Sequence, residues 1–327
     1  MVHVTNFFLL VYQLGICCVY IVFIGDNLKS IVDDFYHTGQ KVQVFMLIML
    51  LPIILLNWVR NLKLLAPFST VANAITVLSF IIICYFIFRE PVTLEDRAPI
   101  GPVTEFPLFF GVVLFSMEAI GVIMPLENEM KTPKSFVGVT GVLNRAFFII
   151  VIMYVGMGVF GYLKYGAGIE DSITLNLSTN SQMDRILANL VKGMLTFGIF
   201  ITHGVACYVA IDLIWNKYVV CRISSDRNVL VWEYVVRTAV VLVTFLLAAC
   251  IPKLELFISL FGALCLSTLG LMFPALIETC VFLKETTGTA RTLMIIKNLL
   301  IGLFGLAGFF IGTATSLNDI IEYLKGP

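Results

Sequence analysis

The run from Phe106 to Lys131 holds the side chains best placed for chemistry: FPLFFGVVLFSMEAIGVIMPLENEMK. Its apolar part, Phe106 to Leu126, would rise about 31 Å as a helix, which is roughly one bilayer core. Ser116, Glu118 and Gly121 nevertheless interrupt the middle of this predicted span. A carboxylate at that depth is unfavourable unless it is protonated, paired or hydrated, so it marks a candidate site. We therefore predict a broken span that exposes backbone groups to a substrate, the alternative being a protonated Glu118 hydrogen-bonded to a neighbouring helix.

Other polar side chains within predicted spans include one histidine and three charged residues. His203 falls near the middle of its span, where an imidazole could transfer protons near neutral pH. We expect a hydrogen-bonded packing histidine there, and a proton relay is the alternative. Asp212, Arg237 and Glu278 lie nearer the ends of their spans, which favours snorkelling or pairing with another helix.

The sequence offers no enzyme motif and no metal-ligand pattern. His3, His37 and His203 are too scattered for a metal site, and HExxH, a Gly-rich phosphate loop and GxSxG are all absent. The eight cysteines lie mostly in or beside apolar runs, which is typical of packed free thiols. We therefore expect no catalysis, no cofactor and no metal, and the zero net charge gives no reason to expect nucleic-acid binding.

The elements that must position these residues are membrane helices. Of the 327 residues, 59% are hydrophobic and only 13% are charged, and the mean hydropathy is +0.99, far from the values of soluble domains. We predict an all-α polytopic membrane protein with one transmembrane domain, 1–327, and about nine helices. Their approximate ranges are 6–32, 43–59, 65–88, 106–126, 138–163, 187–214, 230–250, 255–283 and 293–317.

The distribution of basic residues predicts the orientation. Lys and Arg lie close to span ends mainly in the breaks after the second, fourth, sixth and eighth segments, which the positive-inside rule assigns to the cytoplasm. The N-terminus is then cytoplasmic and the C-terminus extracellular or lumenal. Asn176-Leu177-Ser178 is a glycosylation sequon in a loop on the predicted outer side, so Asn176 is a candidate glycan acceptor.

A set of short runs resembles the proton-coupled amino acid transporters, a family in the amino acid/auxin permease branch of the amino acid–polyamine–organocation superfamily. The runs follow the family's order and cover nearly the whole chain. They are Gln13 to Phe23, Asp26 to Leu28, Arg60 to Lys63, Pro107 to Gly111, Glu118 to Val122, Pro125 to Lys131, Gly161 to Gly166, Ser172 to Leu177 and Gly308 to Thr313.

The resemblance implies a LeuT-like fold of two inverted five-helix repeats, with the substrate between broken helices one and six. The first segment here is then helix three, and Phe106 to Leu126 is helix six. The implied unwound part of helix six consists of Phe115, Ser116, Met117, Glu118, Ala119, Ile120 and Gly121. Facing residues are Cys17 or Tyr20 on helix three and Thr202 on helix eight.

The same resemblance implies that helices one and two of the fold are lacking, so we expect an N-terminally truncated chain. The family's proton-coupling histidine in helix one would be lacking with them.

The expected function is secondary active transport of small neutral amino acids, with proton symport by alternating access. Glu118 is the first candidate for proton coupling and His203 the second. The expected location is the plasma membrane or the lysosomal or vacuolar membrane. The alternatives are an amino-acid-sensing membrane protein and a transport-incompetent truncated isoform; the protein partners are unknown.

Overall fold

The computed structural model describes residues 2–60, 64–89, 91, 97–117, 127, 130, 132–177, 181–220 and 228–325, and those residues are helical with short connections. The first helices are α1 (Val2–Tyr36), α2 (Val42–Asn57), α3 (Ala66–Phe88), α4 (Phe106–Ser116), α5 (Val142–Tyr165) and α6 (Gln182–Ile214). Next come α7 (Val229–Cys250), α8 (Leu254–Phe261), the π-helix Gly262–Met272 and α9 (Phe273–Phe282). The last are α10 (Gly288–Ala307), the π-helix Gly308–Gly312 and α11 (Thr313–Lys325).

Seven helical stretches of the described residues are long and apolar enough to cross a membrane. These are His3–Tyr36, Pro67–Phe88, Val142–Tyr165, Gln182–Val219, Val229–Cys250, Leu254–Phe282 and Gly288–Lys325. Two further apolar helical stretches, Val42–Asn57 and Val103–Ser116, are shorter. The all-α polytopic membrane architecture predicted from the sequence is therefore confirmed.

Helix α1 forms the centre of the bundle. It packs against α2, α6, α7, α8 and the π-helix Gly262–Met272, and its buried side chains contribute to the largest apolar cluster. Helix α5 lies at the periphery, because only 6% of its most apolar stretch is buried within the protein. A helix that faces lipid on most of its surface carries apolar side chains all around, and α5 has this pattern.

Local sequence explains where several helices begin and end. Ser181 caps α6 by accepting a hydrogen bond from the backbone N–H of Asp184 (3.1 Å). The helix therefore begins at Gln182, whereas hydropathy alone predicts a start near residue 187. Pro107 occupies the first turn of α4, and Gly166, at φ +61°, follows the last residue of α5.

Two glycines bring α4 against the junction of α8 and the π-helix Gly262–Met272. A Cβ atom at Gly111 would collide with the Ser259 carbonyl oxygen, and one at Gly262 would collide with the carbonyl oxygen of Gly111. Both positions therefore require glycine for direct backbone contact. The contact fixes α4, which ends at the candidate site.

Candidate functional site

A cleft of about 400 Å³ opens between α1, α4 and α6, with one residue contributed by α5. Its lining is mainly apolar and aromatic, with a few amides and hydroxyls, and no charged side chain occurs among the described lining residues. The lining consists of Tyr12, Gln13, Ile16, Tyr20, Phe115, Ser116, Tyr154, Thr202, Val205, Ala206 and Val209. A concave site of this size with few polar groups is typical of small-molecule binding.

Helix α1 supplies one wall of the cleft. Tyr12, Ile16 and Tyr20 lie four residues apart, so they share one helical face. Gln13 connects this wall to α6, since its Nε2 donates a hydrogen bond to the Ala206 carbonyl (3.0 Å). The Tyr12 ring packs edge-on against Phe115 of α4, with ring centroids 5.9 Å apart.

Helix α4 ends inside the predicted span, at the cleft. Ser116 is its last residue, and both the Ser116 hydroxyl (2.9 Å) and the backbone N–H of Met117 (3.3 Å) donate to the Val113 carbonyl. Phe115 and Ser116 are thus still helical, which corrects their expected place in an unwound segment. The hydrogen bonds to Val113 extend the helix to this point. The predicted site residues Glu118, Ala119, Ile120 and Gly121 lie outside the described residues.

Helix α6 supplies the opposite wall, and Thr202 is the residue of this wall with a polar side chain. The Thr202 hydroxyl donates to the Gly198 carbonyl one turn earlier (2.9 Å). As in Ser116, the hydroxyl hydrogen is used within the helix, so the oxygen can act only as an acceptor toward the cleft.

The structure brings four of the predicted site residues together at the cleft: Tyr20, Phe115, Ser116 and Thr202. Cys17 is fully buried and does not occur among the described lining residues; the thiol of Cys207 on α6 is likewise fully buried. Sequence reasoning missed Tyr12 and Gln13. The four-residue spacing of Tyr12, Ile16 and Tyr20 could have indicated Tyr12, but nothing in the sequence indicates Tyr154.

His203 is fully buried and is absent from the cleft lining. Its Nδ1 lies 3.3 Å from Nδ2 of Asn57, at the end of α2. Because the same Asn57 Nδ2 donates to the Ile53 carbonyl (2.8 Å), the amide presents a donor to the ring. A neutral imidazole with an acceptor Nδ1 fits that contact. Nε2 of His203 has no hydrogen-bond partner among the described residues.

Asn57 also joins a buried ionic cluster between α2 and α7, which we call the Arg60–Glu233–Arg237 cluster. Glu233 accepts hydrogen bonds from Arg237 (3.0 and 3.1 Å) and pairs with Arg60 (2.8 Å). Arg237 donates to the backbone carbonyl of Asn57 (2.9 Å). Glu233 and Arg237 are buried, whereas the Arg60 side chain is 50% exposed. The hydrogen bond that Arg60 donates to Glu233 raises the pKa of Arg60 above its usual value, so this guanidinium stays charged.

Charged contacts at the far end of α6 hold it to α1 and α3. Asp34 of α1 accepts hydrogen bonds from Arg185 (2.6 Å) and Asn189 (2.5 Å), and Arg89 pairs with Asp184. The contacts of Asp34 therefore hold α1 and α6, the two long helices that form the cleft walls, in a fixed position along each other.

The side chain of Asn176, the predicted glycan acceptor, forms two hydrogen bonds with the backbone of its own loop. Its Nδ2 donates to the Gly168 carbonyl (2.9 Å), and its Oδ1 accepts from the Glu170 N–H (2.8 Å). Ser178, the third residue of the sequon, lies outside the described residues. Glycosylation of Asn176 would replace the first of these hydrogen bonds, and it stays a prediction.

Two further charges within predicted spans have polar partners. Glu278 of α9 pairs with Lys297 of α10 (2.7 Å), and Asp212 accepts a hydrogen bond from Asn216 (2.8 Å). The sequence-based expectation of pairing with another helix is confirmed for Glu278, whereas the carboxylate partner of Arg237, Glu233, lies on the same helix α7.

Comparisons with known proteins agree with the architecture. Residues 1–318 match the model of a family described as transmembrane amino acid transporter protein. The chain is 36% identical over 308 residues to the proton-coupled amino acid transporter-like protein pathetic of Drosophila melanogaster, a match that covers 94% of this chain and 64% of the fly protein. It is 28% identical over 335 residues to the probable amino acid transporter skat-1 of Caenorhabditis elegans, covering 99% of this chain and 71% of the worm protein. The chain thus spans less than two thirds of the length of the fly relative. With a family match over nearly its whole length, the chain belongs to the transmembrane amino acid transporter family.

Proposed function

We propose that this chain moves small neutral amino acids across a membrane by proton symport, with the cleft as the substrate site. The observation that carries the proposal is the partly polar cleft, without a charged side chain in its described lining, at the point where α4 ends within its predicted span. A discontinuous helix with a midspan cleft is the arrangement in which secondary transporters bind their substrates.

The cleft chemistry supports a zwitterionic substrate with a small neutral side chain. An acidic or basic substrate side chain would need a buried counter-charge, and the described lining offers none. The α-ammonium finds acceptors in the oxygens of Ser116 and Thr202 and in the carbonyls at the C-terminus of α4, where the helix dipole is negative. The rings of Tyr12, Tyr20 and Phe115 suit the apolar part of the substrate.

Glu118 is the proposed proton carrier. It follows Ser116 by two residues in the sequence, and protonation would neutralise a carboxylate that otherwise resists movement through lipid. His203 is the weaker candidate, because its Nδ1 faces an amide donor and the guanidinium of Arg237 binds the same asparagine. A proton on Nδ1 would face the amide hydrogens of Asn57 and add a positive charge near the Arg237 guanidinium, and both effects disfavour the protonated ring.

The test is binding and uptake of labelled alanine at an outer pH of about 5.5 and about 7.5, values that bracket the physiological titration range. We expect acid-stimulated uptake that unlabelled proline and glycine inhibit and that lysine and glutamate do not. Glu118→Gln should abolish the acid stimulation. Glu278→Gln is the matched control, since it removes an intramembrane carboxylate that is paired with Lys297 away from the cleft.

Three results would contradict parts of the proposal. Inhibition by lysine or glutamate would refute the neutral substrate class. Acid stimulation that survives Glu118→Gln but disappears in His203→Gln would move the coupling site to the histidine. Saturable binding without accumulation, in protein shown to reach the cell surface, would favour amino acid sensing over transport.

We also propose that the N-terminus is cytoplasmic, on the charge distribution given above, and that the host membrane is the plasma membrane or a lysosomal or vacuolar membrane.

A further inference from the structure

A second concavity lies on the membrane-facing side of α7, beside the end of α2, and is separate from the cleft. This groove has a volume of about 710 Å³. Its lining residues come from one end of α7 and from the residue that follows α2: Trp58, Val231, Tyr234, Val235, Thr238, Ala239 and Leu242.

The groove is suited to hydrocarbon. Its α7 residues form one stripe at helical spacing, whereas Glu233, Arg237 and Val240 lie on the buried face of the same helix. The Thr238 hydroxyl is already engaged, because it donates to the Tyr234 carbonyl (2.8 Å) and accepts from Trp58 Nε1 (3.1 Å). Trp58 and Tyr234 pack edge to face with centroids 5.6 Å apart. Such aromatic pairs are typical of the level of lipid headgroups.

The Arg60–Glu233–Arg237 cluster gives one end of the groove a positive charge. Two guanidiniums share one carboxylate there, which leaves a net charge of +1. Arg60 follows the groove residue Trp58 by two positions and pairs with Glu233, which directly precedes the groove residue Tyr234. Its Nε and Nη2 engage Glu233, so Nη1 is the guanidinium nitrogen that this ion pair does not use.

We propose that this groove binds one anionic phospholipid, with an acyl chain along the α7 stripe and the phosphate at Arg60. Apolar contact alone would accept any lipid, but the uncompensated positive charge beside the aromatic pair favours a headgroup with a net negative charge. The site is independent of the substrate cleft and of the transport proposal.

The experiment is native mass spectrometry of the purified chain in detergent, supplied with equimolar phosphatidylserine and phosphatidylcholine of the same acyl composition. We expect one retained phosphatidylserine in preference to phosphatidylcholine. Arg60→Gln should lower that preference about fivefold, the effect of one interfacial cationic side chain. Arg60→Lys should keep most of the preference, because it keeps the charge.

Two tryptophan variants test the groove itself. Ala239→Trp fills the exposed groove and should reduce retention of both lipids. Leu246→Trp places the same ring two turns further along the membrane-facing side of α7, outside the groove lining, and should leave retention unchanged.

Equal retention of the two lipids by the unmodified chain would overturn the proposal. So would equal loss in Arg60→Lys and Arg60→Gln, because the effect would then follow from the geometry of the ion pair with Glu233. Unchanged retention in Ala239→Trp would place the lipid elsewhere on the protein.

Discussion

The hydroxyl groups of the cleft show how helix geometry decides what a residue can bind. Thr202 and Ser116 both donate their hydrogen to a carbonyl of their own helix. A free hydroxyl can donate or accept, but these two can only accept toward a ligand. The two side chains therefore suit an ammonium group better than a carboxylate.

Thr202→Val tests this assignment with almost no change in side-chain volume. Losing one acceptor should raise the apparent Kd for alanine about fivefold, which is the net value of a typical hydrogen bond. Thr202→Ser keeps the oxygen and should bind like the unmodified chain. Direct binding of labelled alanine to purified protein measures both; equal affinity in the valine variant would exclude Thr202 from ligand contact.

We expect Glu233 to contribute more to folding stability than the two arginines of the cluster, because it accepts hydrogen bonds from both of them. Glu233→Gln would leave Arg237 buried without a counter-charge. We expect a loss of about 3–5 kcal/mol in stability, the usual consequence of breaking a buried ion pair.

Arg60→Gln is the matched comparison, and it should cost no more than about 1 kcal/mol because Arg60 is half exposed. Thermal unfolding in detergent, followed by the fluorescence of the native tryptophans, measures the two variants together. A Glu233→Gln protein as stable as Arg60→Gln would show that water or lipid compensates the charge of Arg237.

Sequence reasoning at the residue scale succeeded where a side chain was anomalous for its setting. Ser116 stood out as a polar residue in an apolar span, and it does line the cleft. The contact between His203 and Asn57 could not be predicted, because it joins residues 146 positions apart on helices whose mutual rotation the sequence does not specify. Tyr154 was missed for the same reason.

Among the helices, the contact of α4 with the π-helix Gly262–Met272 sets the position of the cleft. Direct backbone contact between Gly111 and Gly262 leaves no room for a side chain on either partner. Hydropathy could locate both segments, but it could not predict the π-helical hydrogen bonding of Gly262–Met272. Small residues are typical of close helix packing, and the structure shows such packing at Gly262.

Gly111→Ala should therefore destabilise the fold, by about 1–3 kcal/mol or more for an overpacked contact. Gly156→Ala is its matched control, because a Cβ at Gly156 of α5 meets no atom within 4 Å. Removing a helix-interior glycine there should be neutral or stabilising by about 0.5–1 kcal/mol. Thermal unfolding of the two variants side by side decides the question, and equal melting temperatures would refute the close approach at Gly111.

For the whole molecule, hydrophobicity was sufficient to predict a polytopic helical bundle. It predicts nine apolar spans, and the described helices comprise seven long ones and the two shorter ones α2 and α4. Hydropathy alone gives one span that continues to Leu126, whereas the polar residues Ser116 and Glu118 predict the break at which α4 ends. The hydrogen bonds to the Val113 carbonyl extend the helix as far as Ser116.

The predicted orientation is tested by single introduced cysteines in two connections. Ile100 is 85% exposed and precedes α4 on the predicted outer side, whereas Val139 is 93% exposed and follows it on the predicted inner side. A membrane-impermeant maleimide applied to intact cells should label Ile100→Cys above the background of the native thiols and should leave Val139→Cys at that background. The opposite pattern would invert the topology and place the Asn176 loop inside.

The length of α1 has a mechanical consequence. Its 35 residues rise about 52 Å, well beyond a hydrocarbon core of about 30 Å. A helix longer than the core either extends beyond it, as the largely polar residues 26–36 of α1 can, or tilts, and α6, with 33 residues, has the same two options. Because the cleft lies between these two helices, we expect any tilt that follows bilayer thickness to change the angle at which its walls cross. We therefore expect substrate affinity to depend on bilayer thickness, and a comparison of the affinity in lipid discs of short-chain and long-chain lipids measures this dependence.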